Sequence, residues 1–168
     1  MKTVKTTIYK FSELSKEVKE KVIEKHYEHE DYPFLSDGLT ESCKALLDEH
    51  KIKYNDLEVM YSLSYCQGDG LCFTGNFSWK KYRVKIIHSE RYYYAESVDI
   101  TVMNKEGEEI DNEDIFNKFK SIYLKICREL KKEGYAEIDY RMNNEEFSEL
   151  ADVNEWFYYQ DGSFYVAK

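Results

Sequence analysis

The chain has little proline, little glycine and no long hydrophobic run. One proline and seven glycines in 168 residues leave no room for a flexible linker, and no internal repeat is visible. We therefore expect a single domain over residues 1–168. No apolar segment follows Met1 and none is long enough to span a bilayer, so we expect a cytoplasmic protein without a membrane partner.

Basic residues are also scarce. The 24 Lys and Arg residues against 33 Asp and Glu residues give a net charge of −9. A protein that binds nucleic acid directly needs dense positive charge to displace counterions from phosphates, so the composition argues against that function. Six acids with no base among them occupy nine positions: Glu106, Glu108, Glu109, Asp111, Glu113 and Asp114. Two explanations stay open: Asp111 or Asn112 caps a following helix, or the acids imitate phosphates on the basic groove of a nucleic-acid enzyme.

Recognisable catalytic and metal-binding patterns are absent as well. The four cysteines form no C-x-x-C pair and are expected to be buried thiols: Cys43, Cys66, Cys72 and Cys127. His26 and His29 lie three apart on a predicted helix, but no third ligand accompanies them, so we predict no metal and no cofactor. Asp69 has no identifiable partner group, and we assign no catalytic residue. A small hydrolase that uses Asp69 remains an alternative.

The residues that are present indicate an α+β fold. Their periodicity predicts an antiparallel β-meander of about four strands, covered on one face by two to four helices. The predicted helices span about residues 15–29, 37–50, 113–132 and 144–153, with Gly134 as a stop signal. The predicted strands are 4–11, 59–66, 71–79, 82–87 and 92–103, followed by a small hairpin at 156–159 and 164–166.

A tight turn at Gly68-Asp69-Gly70 organises the central hairpin. Large residues occupy odd positions on both flanking strands, so they share a face only if odd pairs with odd. A three-residue loop with a left-handed Gly70 gives that pairing and directs the odd-numbered rings toward the helices. The predicted pairs are Cys66 with Cys72, Tyr65 with Phe73, and Tyr61 with Phe77.

The other face of this hairpin is unusually small and polar. It carries Ser62, Ser64, Cys66, Cys72, Thr74, Asn76 and Ser78. We consider two interpretations: an ordinary solvated strand face, or a shallow platform that a polar ligand or another backbone can approach.

Sixteen tyrosines are the other compositional peculiarity. The run Tyr92–Tyr94 on a predicted strand must direct some rings outward, and exposed tyrosines favour recognition surfaces. We predict a surface of exposed tyrosines and acids, in which acids speed encounter and rings slow dissociation. The predicted binding residues are Gln67, Asp69, Tyr92, Tyr93, Tyr94, Glu108, Glu109 and Asp111.

Two short motifs resemble a family of small proteins from phages and prophages. Residues 11–15 read F-S-E-L-S at the start of an amphipathic helix, and residues 65–75 read Y-C-Q-G-D-G-L-C-F-T-G. The family shows an F-x-E-L-S opening and an S-Q-G-D-G-A-x-F-x-G segment, in which Cys66 stands here for the serine. The resemblance implies a non-enzymatic protein in the cytoplasm of a bacterial host. It would inhibit a host protein, with a defence nuclease or a CRISPR effector as the first candidates; an alternative is a sponge for a small nucleotide signal.

Overall fold

The protein has an α+β fold, as predicted. The computed structural model describes residues 2–27 and 33–167, and that part of the chain contains four α-helices and six short or medium strands. The helices are α1 (Lys16–Tyr27), α2 (Pro33–Glu49), α3 (Glu113–Arg141) and α4 (Asn144–Val153). The strands are β1 (Tyr9–Lys10), β2 (Ile52–Ser62), β3 (Gly70–Trp79), β4 (Tyr82–His88), β5 (Val98–Met103) and β6 (Phe157–Tyr158).

The chain groups into two compact units. Unit 1 combines Met1–Tyr32 with Glu137–Lys168, and unit 2 is Pro33–Ala136. The expectation of a single domain over residues 1–168 stays a prediction. Across the described ranges 2–27 and 33–167, none of the helices combines the length and apolarity that a bilayer crossing requires.

Unit 2 contains a four-stranded antiparallel meander in the order β2-β3-β4-β5. Helix α2 contacts β2, and α3 lays Tyr123 on Phe73 with ring centroids 4.4 Å apart. The strands alternate as their sequences predict: on β4, Val84 and Ile86 are buried while Arg83 and Lys85 are exposed. The helices therefore cover one face of the sheet, and the opposite face meets solvent.

The predicted register of the central hairpin is wrong. Val59 pairs with Phe73, Met60 pairs with Cys72, and the strands end at Ser62 and Gly70. Residues 63–69 thus form a seven-residue loop in place of a three-residue turn. Odd still pairs with odd beside the loop, because the buried rings demand it. Parity alone could not fix how many residues the loop takes up.

A bulge changes the pairing further along β2 and β3. The register shifts between Asn55 and Glu58, so that Tyr54 pairs with Phe77. Asp56 has a left-handed φ of 53°, and Gly75 has a φ of 145°. A Cβ on Gly75 would lie 2.9 Å from the Asn55 carbonyl oxygen, so this bulge requires glycine. The predicted pair of Tyr61 with Phe77 is wrong mainly because of the longer loop, since Tyr61 pairs with Leu71, although Phe77 is buried as expected.

Other element boundaries also differ from the prediction: β1 covers only Tyr9–Lys10 of the predicted strand 4–11, and β2 begins at Ile52 instead of residue 59. Gly134 does not end α3, which continues to Arg141. The glycine has a packing role instead, because its missing side chain lets α3 lie close to Leu63 and Leu39. Residues 92–97 form a loop instead of the start of β5. Pro33 begins α2, where its missing N–H costs no helical hydrogen bond, while Tyr32 lies outside the described residues.

Unit 1 has its own small core. Helices α1 and α4 pack Ile23 and Phe147 against Phe11 and Tyr158, and β1 pairs with β6. The Asn143 side chain caps α4 by accepting the Glu145 N–H at 2.8 Å. Helix α4 has the bounds that the sequence predicts.

Candidate functional site

The loop 63–69 is folded around the carboxylate of Asp69. The side chain of Asp69 is only 8% exposed, and five groups donate hydrogen bonds to it. The donors are the Ser64 N–H (2.8 Å) and Oγ (3.1 Å), the Cys66 N–H (3.3 Å) and Sγ (3.2 Å), and the Tyr135 hydroxyl. Four donors are local and one comes from α3, so Asp69 fixes the loop and ties it to a helix. The Cys66 thiol donates where a serine hydroxyl could do the same.

These hydrogen bonds keep Asp69 ionised. Burial opposes the charged form, but the donors on Tyr135, Cys66 and Ser64 outweigh it and hold the pKa of this carboxyl well below its usual range. Burial, followed by the hydrogen bond to Asp69, raises the pKa of Tyr135 to about 12. A carboxylate with so low a pKa and five donors is a poor general base. The geometry therefore gives Asp69 a structural role, and the hydrolase alternative stays a prediction.

Loop closure turns Tyr65 outward. This residue has a left-handed φ of 56°, which a non-glycine residue rarely adopts, and its side chain is 63% exposed. Its ring lies on Tyr135 with the centroids 4.6 Å apart. The prediction that Tyr65 packs toward the helices holds only for this contact with α3, because the ring stays exposed and the residue lies in a loop. The Asp69 hydrogen bonds hold the backbone in a conformation that an extended strand does not have.

A second loop, residues 89–97, lies against the first. The Tyr94 hydroxyl donates to the Gln67 carbonyl oxygen at 3.1 Å. Tyr92 and Tyr93 are 45% and 36% exposed, so the predicted outward rings are present, although on a loop. We call the two loops 63–69 and 89–97, with these exposed rings, the tyrosine end of the sheet. It brings together Gln67, Asp69 and all three residues of the Tyr92–Tyr94 run.

Gly70 is essential to this contact for an unexpected reason. It does not adopt the left-handed conformation that the sequence predicts. Instead, a Cβ on Gly70 would lie 2.5 Å from the carbonyl oxygen of Tyr93, so only glycine lets the loops approach. A Cβ on Gly68 would lie 3.5 Å from the Tyr92 ring, an ordinary contact.

The predicted acidic residues lie at the opposite end of the sheet. Met103 pairs with Arg83 beside the β3–β4 turn, and the chain then enters residues 104–112, which we call the acidic turn. The Asn104 side-chain oxygen accepts the N–H groups of Glu106 (3.0 Å) and Glu108 (2.9 Å). Because the sheet separates Glu108, Glu109 and Asp111 from the tyrosine end, the predicted residues form two surfaces.

Helix capping accounts for the end of the acidic segment. Asn112 accepts the Ile115 N–H at 3.2 Å, and Glu113 and Asp114 occupy the first turn of α3. This confirms the capping explanation for these residues. The remaining acids of the turn are exposed, Glu108 among them, and its carboxylate accepts a hydrogen bond from the Asn104 amide at 3.1 Å.

Three of the four cysteines are buried as predicted. Burial raises the pKa of Cys43 to about 12 and of Cys72 to about 11, and it also raises the pKa of Cys127. These thiols are therefore protonated core residues. Cys66 departs from the prediction and is exposed, since it belongs to the loop and not to a strand. Cys72 also does not belong to the exposed small polar face, because its side chain is fully buried.

His26 belongs to an aromatic cluster in unit 1. Its ring centroid lies 5.2 Å from those of Phe147 and Trp156. His29 lies outside the described residues, so the prediction of no metal at His26 and His29 stays a prediction. In the chain segments 2–27 and 33–167, no group of three or more His, Cys, Asp or Glu residues is arranged to hold a metal ion.

Tyr135 is the important residue that sequence reasoning missed. It lies 66 residues beyond Asp69 and meets it only because α3 packs on the sheet. The role of Ser64 is partly visible in the sequence, because a serine near an aspartate in a glycine-rich segment is typical of turns built on side-chain hydrogen bonds. No comparable local signal marks Tyr135.

Comparisons with known proteins add no family to this description. No protein-family model matches the chain, no curated protein is significantly similar to it, and no solved structure shares its fold at a significant level.

Proposed function

We propose that this protein acts by binding another protein, and that its contact surface is the tyrosine end. The observation that carries the proposal is the loop around Asp69, which holds the exposed ring of Tyr65 on a fixed backbone. A ring already held in place loses little conformational entropy on binding, so more of its contact area contributes to affinity. Tyr92 and Tyr93 widen this surface.

The partner is a basic protein. The net charge of −9 attracts positive surfaces over a long range, and the acidic turn concentrates part of that charge. Since the acidic turn lies at the other end of the sheet, we assign it to steering, whereas the tyrosines form the lasting contact. Enzymes that act on nucleic acid carry basic grooves. The resemblance to phage proteins makes a bacterial defence nuclease or CRISPR effector the partner class to test first, with inhibition as the outcome.

Affinity capture from a bacterial lysate tests the proposal. The parent protein, a Tyr65→Ala, Tyr93→Ala variant and a Tyr140→Ala control would serve as baits. Tyr140 is 57% exposed and lies outside the two loops that form the tyrosine end, so it provides a control of comparable exposure. We expect a nuclease to be retained and inhibited by the parent and the control, and lost with the double variant. Equal retention by all three baits would contradict the choice of surface.

Binding kinetics then separate the two surfaces. Reversing the charges of Glu108, Glu109 and Asp111 should slow association and weaken its salt dependence, with dissociation little changed. Truncating Tyr93 should mainly speed dissociation. If the purified protein instead turned over a substrate at catalytic stoichiometry, the binding function itself would be wrong.

A further inference from the structure

The solvent-facing side of the sheet carries an unpaired group of cations. Register places Lys53, Ser78 and Arg83 side by side on β2, β3 and β4, and all three are exposed. The neighbouring row contains Asn55, Asn76 and Lys85 in the same order. Adjacent strands lie about 4.8 Å apart, so the backbones at Lys53 and Arg83 are about 10 Å apart with only a serine between them.

None of these cations has an acidic partner in the part of the chain that the structure describes. Lys53, Arg83 and Lys85 make no ion pair and no side-chain hydrogen bond there, although the protein carries nine more acids than bases. Long basic side chains beside small neighbours leave open space above the sheet. That space is a groove of about 410 Å³ whose lining includes Lys53, Asn55, Asn76, Ser78 and Arg83.

We infer that this groove is a binding site for a compact phosphate-bearing ligand. The Arg83 guanidinium suits two oxygens of one phosphate, and Lys53 offers a point charge on the far side of Ser78. The Ser78 hydroxyl and the amides of Asn55 and Asn76 supply neutral donors between the cations. The inferred site lies on the small polar face of the hairpin. It makes the platform interpretation of that face specific, because it names a phosphate-bearing ligand.

The surroundings restrict the ligand to a small one. The Asp56 carboxylate accepts a weak hydrogen bond from Asn76 at 3.5 Å, and Gly107, which lies between Glu106 and Glu108 in the acidic turn, also lines the groove. A long polyanion would run from the cations onto these acids and be repelled. A diphosphate or a nucleotide is short enough to be bound at Lys53 and Arg83 without extending onto the acidic turn. This site is separate from the tyrosine end and does not depend on the proposed protein partner.

Titration of isotope-labelled protein with sodium pyrophosphate at low ionic strength tests the inference. We expect saturable shifts of the Asn76, Ser78 and Arg83 amide signals. An Arg83→Gln, Lys53→Gln variant should bind about tenfold more weakly or worse. A Lys118→Gln, Lys120→Gln variant removes the same charge from exposed positions of α3 and should bind like the parent.

The identity of the probe distinguishes the sources of phosphate. Tighter binding of ADP than of pyrophosphate would support a nucleotide ligand, and equal binding would support recognition of the diphosphate alone. The inference fails if pyrophosphate gives no saturable shift at these amides. It also fails if the two double variants lose binding equally, or if a single-stranded oligonucleotide binds more tightly than ADP and the Arg83→Gln, Lys53→Gln variant loses that binding.

Discussion

The two ends of the sheet are each organised by one polar side chain, but in different ways. At the tyrosine end, buried Asp69 accepts hydrogen bonds from its own loop and from Tyr135 on a distant helix. At the acidic turn, Asn104 accepts the N–H groups of residues two and four positions ahead, all in the same turn. The first arrangement is tertiary, and the second is local.

This difference determines what each end can do. The acidic turn needs little beyond its own sequence and presents carboxylates to water, where their charge acts at a distance. The tyrosine end presents rings whose positions depend on the packing of α3, so its shape is available only in the folded protein. A contact surface that must be rigid benefits from tertiary support of the kind that Asp69 and Tyr135 give the tyrosine end.

Removing the organising side chain should affect the tyrosine end most. Asp69→Ala leaves the Tyr135 hydroxyl and the N–H groups of Ser64 and Cys66 without their acceptor. We expect a loss of about 3 kcal/mol in the free energy of unfolding, since hydrogen bonds to a charged group are the strong ones. Asn104→Ala, the matched change at the acidic turn, should cost about 1 kcal/mol. Urea unfolding of both variants measures the difference, and equal losses would contradict the comparison.

The next largest effect should come from filling the space between the two tyrosine-end loops. Gly70→Ala forces the new Cβ against the Tyr93 carbonyl oxygen and should destabilise by about 2 kcal/mol, as overpacking does. Gly68→Ala should stay within about 0.5 kcal/mol of the parent, because its Cβ has ordinary room. Thermal unfolding of the two variants measures the change in stability that each substitution causes. If Gly70→Ala unfolded at the same temperature as the parent, the two loops could not approach each other as closely as the Gly70–Tyr93 contact requires.

The smallest effect is a dependence on pH. The folded state lowers the pKa of Asp69, so the stability that this group contributes is present above its unfolded value of about 3.9 and is lost as pH falls toward the folded pKa. The difference in unfolding free energy between the parent and Asp69→Asn should therefore shrink as pH falls below about 4. Urea unfolding across acidic pH measures it. A constant difference would show that Asp69 is not held in its charged form.

The sequence predicts the sheet and helices well because their signals are local. The alternation Val84, Ile86 against Arg83, Lys85 identifies β4, and Asn112 marks the start of α3. The hairpin register was wrong because alternation has a period of two and cannot distinguish a three-residue loop from a seven-residue one.

The candidate site was only partly predictable. Tyr92–Tyr94 and the Gly-Asp-Gly segment were recognised, and the fold does bring them together. The prediction of one surface that combines these tyrosines with the acids is wrong. The strand order places the acidic turn at the opposite end of the sheet from the tyrosine end. Tyr135 was missed because nothing near it in the chain indicates that its hydroxyl meets a carboxylate 66 residues earlier.

Amide hydrogen exchange tests the central claim, that Asp69 holds the tyrosine end in one conformation before any partner binds. The N–H groups of Ser64 and Cys66 donate to Asp69, so we predict that they exchange slowly in the parent protein despite their place in a surface loop. In Asp69→Asn, they should exchange much faster, while the amides of β3 and β4 keep their protection. Fast exchange of Ser64 and Cys66 in the parent would contradict the account, because the loop would then be open before binding.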